Sequence, residues 1–346
     1  IQARFRDEGD RQGLAWITVE VSFSLKAWMS RDIFDPTMNQ TLEIFTAHTS
    51  PARIGITIHD LNGAVVKNLV VPEERAAGTY RDAWDGRDND GDFVPSGAYR
   101  HIVQYDTGKV SGIFDPERDG ILQGVYLPDG LYSSMDMLDY PTWSYPASYN
   151  PFEDRPFYLC YTLNRKSECH ALVAFYNEDG VPDFFVLANR DPRIKGSYVD
   201  EWNGLDSRGR YASLAGQDNL TLAIRGWRLP DNAIIVSSIP RITAVSKHPD
   251  YLMPGVNPYG SRDGMSIRYT ISKPADVSLR IETDRGVAMR QFFIRHDEAG
   301  EQTFQWDGLG EDGLLMIPGY YKIRLEATDD FGNVSKPCYR IFGVIY

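Results

Sequence analysis

Apolar and polar positions alternate along this chain in short runs. In "RIGITIHDLNG" Ile54, Ile56 and Ile58 alternate with Gly55, Thr57 and His59, and Val277, Leu279 and Ile281 repeat the pattern much later. A period of two marks a strand with one buried face. "DLNG" and "TDRG" close these runs as hairpin-type turns, where Gly63 and Gly286 accept positive φ. Tyr99, His101 and Val103 match Tyr321, Ile323 and Leu325 as one face of a further strand, and Leu220, Leu222 and Ile224 form that face between them. No stretch sustains helical periodicity for about twelve residues. Short strands with turn signals every ~8–12 residues predict β-sandwiches.

The longest alternation is N-terminal. Ile17, Val19, Val21, Phe23, Leu25 and Ala27 alternate with polar residues in "ITVEVSFSLKA", eleven positions in all, where a usual strand has about 5–6. Its first half follows a polar arm, "RFRDEGDRQG", and has no counterpart later. Two readings stay open. The segment bends and pairs within its own sandwich or with its own arm, or it adds to a sheet of a neighbouring subunit or partner. In the second case Ile17, Val19, Val21 and Phe23 would fill the partner's core.

The chain repeats itself. "WDGRDNDG" at Trp84 returns as "WNGLDSRG" at Trp202 and "WDGLGEDG" at Trp306, 118 and 104 residues apart. Gly78, Gly196 and Gly300 stand six positions before each Trp, and Gly63, Gly180 and Gly286 stand 21, 22 and 20 before it. Three anchors in one order at near-constant spacing define a threefold repeat. Trp84, Trp202 and Trp306 are expected to be core anchors. Gly86, Gly204 and Gly308 are expected to provide the turn backbone, and Asp85 to accept N–H groups across it.

The turn is acidic, so metal chemistry has to be weighed. Asp88, Asp90 and Asp92 place oxygens at alternate positions, a weak calcium candidate. An EF-hand would need Gly sixth and Glu twelfth from Asp88, and Phe93 and Tyr99 stand there. The middle copy replaces Asp85 by Asn203 and Asp90 by Arg208, which a turn tolerates and a shared metal or catalytic role does not. Six scattered histidines and three cysteines, Cys160, Cys169 and Cys338, show no zinc or haem spacing. Cys160 and Cys169 could bridge a hairpin or stay as buried thiols. No nucleophile elbow or phosphate loop occurs, so no catalytic residue and no cofactor is expected.

At 346 residues, two or three domains are expected. The net charge of −12 opposes a nucleic-acid partner. No apolar run approaches the ~20 residues of a membrane helix. The chain opens at Ile1 with no charged-then-apolar leader, the expectation for a processed mature chain.

The pattern "PA-x-V-x-L-x-I", a Gly, "AG", "WDG-x-x-x-x-G", then Pro, Gly and a Tyr resembles the Ig-like domain of the flagellar hook-capping protein FlgD. That domain type recurs in secreted and cell-surface bacterial proteins. "PGYYKIRLEATDDFGNVSKP" of the third copy matches best; in the second, "LAGQDNLTL" replaces "PSGAY". The resemblance implies an all-β chain of three tandem antiparallel Ig-like sandwiches and no catalytic residues. The repeat places them at 22–112, 113–235 and 236–346, after an arm at 1–21. The lead 113–150 is either a connector or a binding surface, with Tyr132, Tyr140, Trp143 and Tyr145 as anchors suited to protein or surface polysaccharide. The expected function is a non-catalytic interaction protein, a rod of Ig-like domains in an extracellular, cell-surface or periplasmic assembly, with a protein partner or self-assembly. The alternative is a spacer or binding region of a larger secreted enzyme.

Overall fold

A computed structural model describes residues 23–114, 156–176, 180–206, 209–210, 221–253 and 264–346 in full. It also gives the backbone of the strands Gln2–Arg6, Gln12–Trp16, Gly124–Tyr126, Tyr132–Ser134 and Leu138–Tyr145. Among these residues the chain is all-β, with one single-turn 3-10 helix at Pro36–Met38. No described helix is long and apolar enough to cross a membrane.

Alternation builds each sandwich. Ile54, Ile56 and Ile58 point into one core, and Val277, Leu279 and Ile281 into another. In the first sandwich a three-stranded sheet, Leu25–Met29, Leu42–His48 and Gly78–Trp84, faces a larger one. In the third, Ile242–His248, Met265–Ile271 and Gly300–Trp306 face five strands. Those five run in the order Tyr251–Leu252, Cys338–Val344, Gly319–Thr328, Ala275–Thr283, Ala288–His296. The middle copy pairs Leu138–Tyr145, Phe157–Leu163 and Gly196–Trp202 against a sheet containing Thr221–Arg228, Ser167–Tyr176 and Pro182–Arg193.

The larger sheet of the first sandwich corrects one expected boundary. Its order is Ile33–Phe34, Ala233–Val236, Gly97–Asp106, Ala52–Asp60, Val65–Arg75, so residues 233–236, expected to end the second sandwich at 235 and begin the third at 236, pair within the first. In the third sandwich one last strand, Cys338–Val344, runs against Leu325 to Gly319. In the first, two pieces divide that path. Ser111–Phe114 pairs with Asp106 to Val103, and Ala233–Val236 pairs with Arg100 to Gly97. The second repeat is therefore inserted into the last strand of the first sandwich. Its own Thr221–Arg228 leads away to that strand, and the place beside it is taken by Tyr132–Ser134, paired in parallel at Tyr132 and Ala223.

Of the eleven-position N-terminal alternation, only residues 23–27 are described. Gln2–Arg6 pairs with Gln12–Trp16, so the polar arm is a hairpin with itself. The first sandwich's strand begins only at Leu25, because Ser24 and Thr49 exchange hydrogen bonds that close the sheet's end: Ser24 N donates to Thr49 Oγ1 at 2.9 Å and Thr49 N to Ser24 O at 3.1 Å. Phe23 packs on its own sandwich, stacked on Tyr105 at 4.9 Å. Ile17, Val19 and Val21 lie outside the described residues.

Candidate interaction surfaces

The repeated turn has one geometry in three places. Trp84, Trp202 and Trp306 are buried. Each indole Nε1 donates to the carbonyl three residues on: Arg87 O at 2.9 Å, Leu205 O at 2.9 Å and Leu309 O at 3.0 Å. A buried N–H without an acceptor would cost about 1–3 kcal/mol, so the turn must fold back over the ring. Gly86, Gly204 and Gly308 allow this with φ of 77°, 83° and 77°. At Gly86 a Cβ would also stand 2.5 Å from Pro36 Cβ.

The acidic side chains of the turn serve their own backbone. Asp85 and Asp307 each accept from the N–H two residues on at 3.1 Å. Asp88 Oδ1 accepts from Asp90 N at 2.9 Å and Asp92 N at 3.0 Å. The Asp88 carboxylate thus caps the turn, while Asp90 and Asp92 give it their backbone N–H groups; among the described residues no three His, Cys, Asp or Glu side chains converge on one point. Cys160, Cys169 and Cys338 are free thiols, and burial pushes Cys169 up to about 12. Tyr140, Trp143 and Tyr145 fall in Leu138–Tyr145, with Trp143 in register with Cys160 and Tyr145 with Tyr158; Tyr132 falls in the parallel strand. The side chains of these four lie outside the described residues.

A second repeated feature was missed in the sequence. Arg75 holds Asp82 through two 2.9 Å bonds, and Arg193 holds Asp200 at 2.8 and 3.0 Å, each guanidinium lying over a Tyr ring, Tyr80 or Tyr198. Burial opposes the charge of Arg193, yet Asp200 holds its pKa above the ordinary value. The signal was available: each Arg stands nine positions before its Trp and each Asp two before it. In the third sandwich the matching register position, opposite Ala275 rather than Ala52 or Ser167, is His296. Its Nε2 lies 2.8 Å from Tyr269 Oη. Burial lowers the His296 pKa, with Asp297 opposing, and raises Tyr269 to about 12.

The outer faces carry inter-repeat contacts, and no sequence motif announced them. Lys273, buried, donates to Asp35 Oδ2 at 3.0 Å, Thr37 Oγ1 at 2.6 Å and Ser238 O, and pairs with Asp329 Oδ2 at 2.9 Å. Phe93 meets Phe331 edge-on at 5.2 Å. These contacts join the first and third sandwiches. Lys336 reaches Asp191 at 2.6 Å, Arg340 reaches Glu201 at 2.6 Å, and Lys322 donates to Gly209 O, joining the second and third. Lys166 reaches Asp32 at 3.0 Å and Ala233 O at 3.0 Å, joining the first and second. Every sandwich touches both others, so the described body is a closed triangle and not the expected rod.

Residues 30–109 and 257–330 match the FlgD Ig-like domain family. A stretch of 73 residues is 34% identical to the basal-body rod modification protein FlgD of Salmonella typhimurium, covering 21% of this chain and 31% of that protein. The FlgD of Salmonella typhi matches equally. The match thus spans less than a third of the length of these curated relatives. Among solved structures, FlgD from P. aeruginosa aligns at 21% identity over 30% of this chain and 72% of its own, with a TM-score of 0.23. A tetra-tandem repeat from the extending region of a large adhesion protein aligns at 13% identity over 99% of this chain and 80% of its own, also at 0.23. Both scores lie below the range of a shared overall arrangement. The middle sandwich, where "LAGQDNLTL" replaces the Pro-Gly-Tyr strand start, lies outside the family match. Two segments of this chain, one in the first sandwich and one in the third, are thus similar to the FlgD Ig-like domain family.

Proposed function

We propose that this chain is a non-catalytic structural and interaction module of a bacterial extracellular or cell-surface assembly. It consists of three Ig-like units, the second inserted into the first. One observation carries the reading: the polar groups of the repeated turns and the buried cations of the outer faces are engaged in holding the units to themselves and to each other. Lys273, with four oxygen partners from two sandwiches, is the clearest case. An enzyme site needs polar groups held ready for a substrate; here they are spent on rigidity. The similarity to FlgD over two segments supports a place in an exported assembly. The test is fractionation of the native cells with antibody detection and gentle cross-linking. The protein should be found in the surface or secreted fraction within a complex larger than one chain. A cytoplasmic pool of free chain, or turnover on a glycoside or peptide panel abolished by one Asp or His substitution, would overturn it.

A further inference from the structure

We propose that Asn203 is a self-modification site. In the folded chain its side-chain amide is lost as ammonia, and the aspartate left at that position completes the middle turn in the form the other two copies already have. The change needs only water and the fold, whatever the chain is used for.

The three Trp-turns share a frame and differ at one side chain. Trp202 is buried like its counterparts, its indole Nε1 donates to Leu205 O at 2.9 Å, and Gly204 has a φ of 83° beside 77° at Gly86 and Gly308. After their Trp, Asp85 and Asp307 accept from the N–H two residues on, Arg87 N and Leu309 N, both at 3.1 Å. The middle copy has an amide there. Asn203 Oδ1 is buried and accepts no hydrogen bond from the described residues. A buried acceptor without a donor is unfavourable, and it leaves the amide unanchored on that side. The residue as a whole is only half-buried, so water reaches it.

The next residue supplies the nucleophile. Gly204 has no Cβ to shield its own nitrogen. That nitrogen attacks Asn203 Cγ and gives up its proton; a new N–Cγ bond forms, the Cγ–Nδ2 bond breaks, and ammonia leaves with the proton. The five-membered succinimide then takes up one water. Opening at the new N–Cγ bond gives aspartate with the main chain as before. Opening at the original peptide bond gives isoaspartate, with one extra methylene in the main chain. The net change is amide plus water to carboxylic acid plus ammonia, with no electron transferred.

The fold selects between the two products. The turn is closed on both sides, by Trp202 Nε1 on Leu205 O and by Asp206 N on Arg210 O at 2.7 Å. An added methylene would push Leu205 O off the buried indole. Aspartate keeps the frame and offers Leu205 N the carboxylate that Arg87 N and Leu309 N already have, and ionisation strengthens such a bond. The site also lies between Glu201, bonded to Arg340, and Gly209, bonded to Lys322, so the new charge arises where the second sandwich meets the third.

Peptide mass mapping tests this on the folded full chain, held at mildly alkaline pH beside a peptide of residues 198–210. Over several half-lives of the peptide, the chain should gain the mass of an acid at position 203. Ordinary aspartate should be the main product in the chain, and isoaspartate in the peptide. Asn203→Asp should melt above fresh wild type, and aged wild type should approach it. Asn203→Ser keeps a capping oxygen without an amide; it should show no mass gain there, and it reports any ageing that comes from Asn62–Gly63, the other Asn-Gly pair of the chain. An amide that persists at position 203 of the folded chain through that time, isoaspartate as its main product, or an Asn203→Asp chain that melts below wild type overturns the proposal.

Discussion

At the scale of single residues, the Trp-turn concentrates the largest effects. Trp306→Ala removes a buried ring and its hydrogen bond to Leu309 O, so a loss of about 3–5 kcal/mol is expected in denaturant titration; a near-unchanged melt would place the ring outside the core. The glycines separate two costs. Gly86 and Gly91 both have left-handed φ, 77° and 94°, but a Cβ at Gly86 meets Pro36 while one at Gly91 meets nothing within 4 Å. Gly91→Ala should cost only the backbone strain, about 1–2 kcal/mol, and Gly86→Ala clearly more. Equal losses would show that sterics against Pro36 do not matter. His296 gives the third sandwich a pH dependence. Burial depresses its pKa, so the unfolded chain binds the proton more readily than the folded one. The stability it supports is complete above the ordinary His value of about 6.5 and is lost as the pH falls below it. The melt should decline between pH 7 and pH 5, and the decline should flatten in His296→Gln. The same slope in the variant would assign the effect to other groups.

At the scale of elements, the divided last strand makes a sharp claim about chain continuity. Phe114 stands opposite Val103 and Ala233 opposite Arg100, so two residues of Gly97–Asp106 separate the pieces. Replacing 115–232 by a two-residue link should rebuild one continuous strand and leave a folded two-sandwich protein with a cooperative melt. A link of six residues should do no better. A chain that fails to fold with the short link, but folds with the long one, would show that the two pieces are not collinear. The strand Ala233–Val236 also explains why all its residues are apolar. Ile234 and Val236 face the first core, while Ala233 and Ile235 pack with Leu229, Ile33 and Ala98 on the other side. Covered on both faces, it has no alternation to show, as expected of a fully buried strand.

For the whole molecule, the triangle and the insertion act together. Lys273 holds the first and third sandwiches through Asp35 and Asp329, both shielded from solvent. Lys273→Ala leaves those carboxylates without their cation, a change that costs about 3–5 kcal/mol in a buried pair, and should loosen that junction first in hydrogen exchange. Load follows the insertion. Both segments leading to the second sandwich are hydrogen-bonded to the same strand, Gly97–Asp106, so force applied between residues 23 and 346 bypasses the inserted unit until one of them detaches. In single-molecule pulling, the length released from 115–232, on the order of 40 nm at full extension, should never precede the opening of the first sandwich. Early release of that length would refute the bypass.

The sequence by itself determined the all-β class, the threefold spacing and the resemblance to the FlgD Ig-like domain. These are written in local patterns: alternation in Ile54–Ile58 and Val277–Ile281, and a Trp-Asp-Gly turn at fixed distance from two glycines. Some of the repeated chemistry was also legible, since Arg75 with Asp82 and Arg193 with Asp200 keep one offset from their Trp. Other things were not local. Residues 233–236 look like the end of the second repeat because they follow it, yet a strand is placed by the backbone groups that remain unpaired, and those lay on Gly97–Asp106, more than a hundred residues earlier. The polar arm paired with itself because Gln2–Arg6 and Gln12–Trp16 are near in sequence and close a short loop at small entropic cost. Lys273, Lys322 and Arg340 look like ordinary surface cations in the sequence. Tertiary structure made them junctions, because only the folded triangle brings the oxygens of another sandwich within reach and removes the water that would otherwise compete for them.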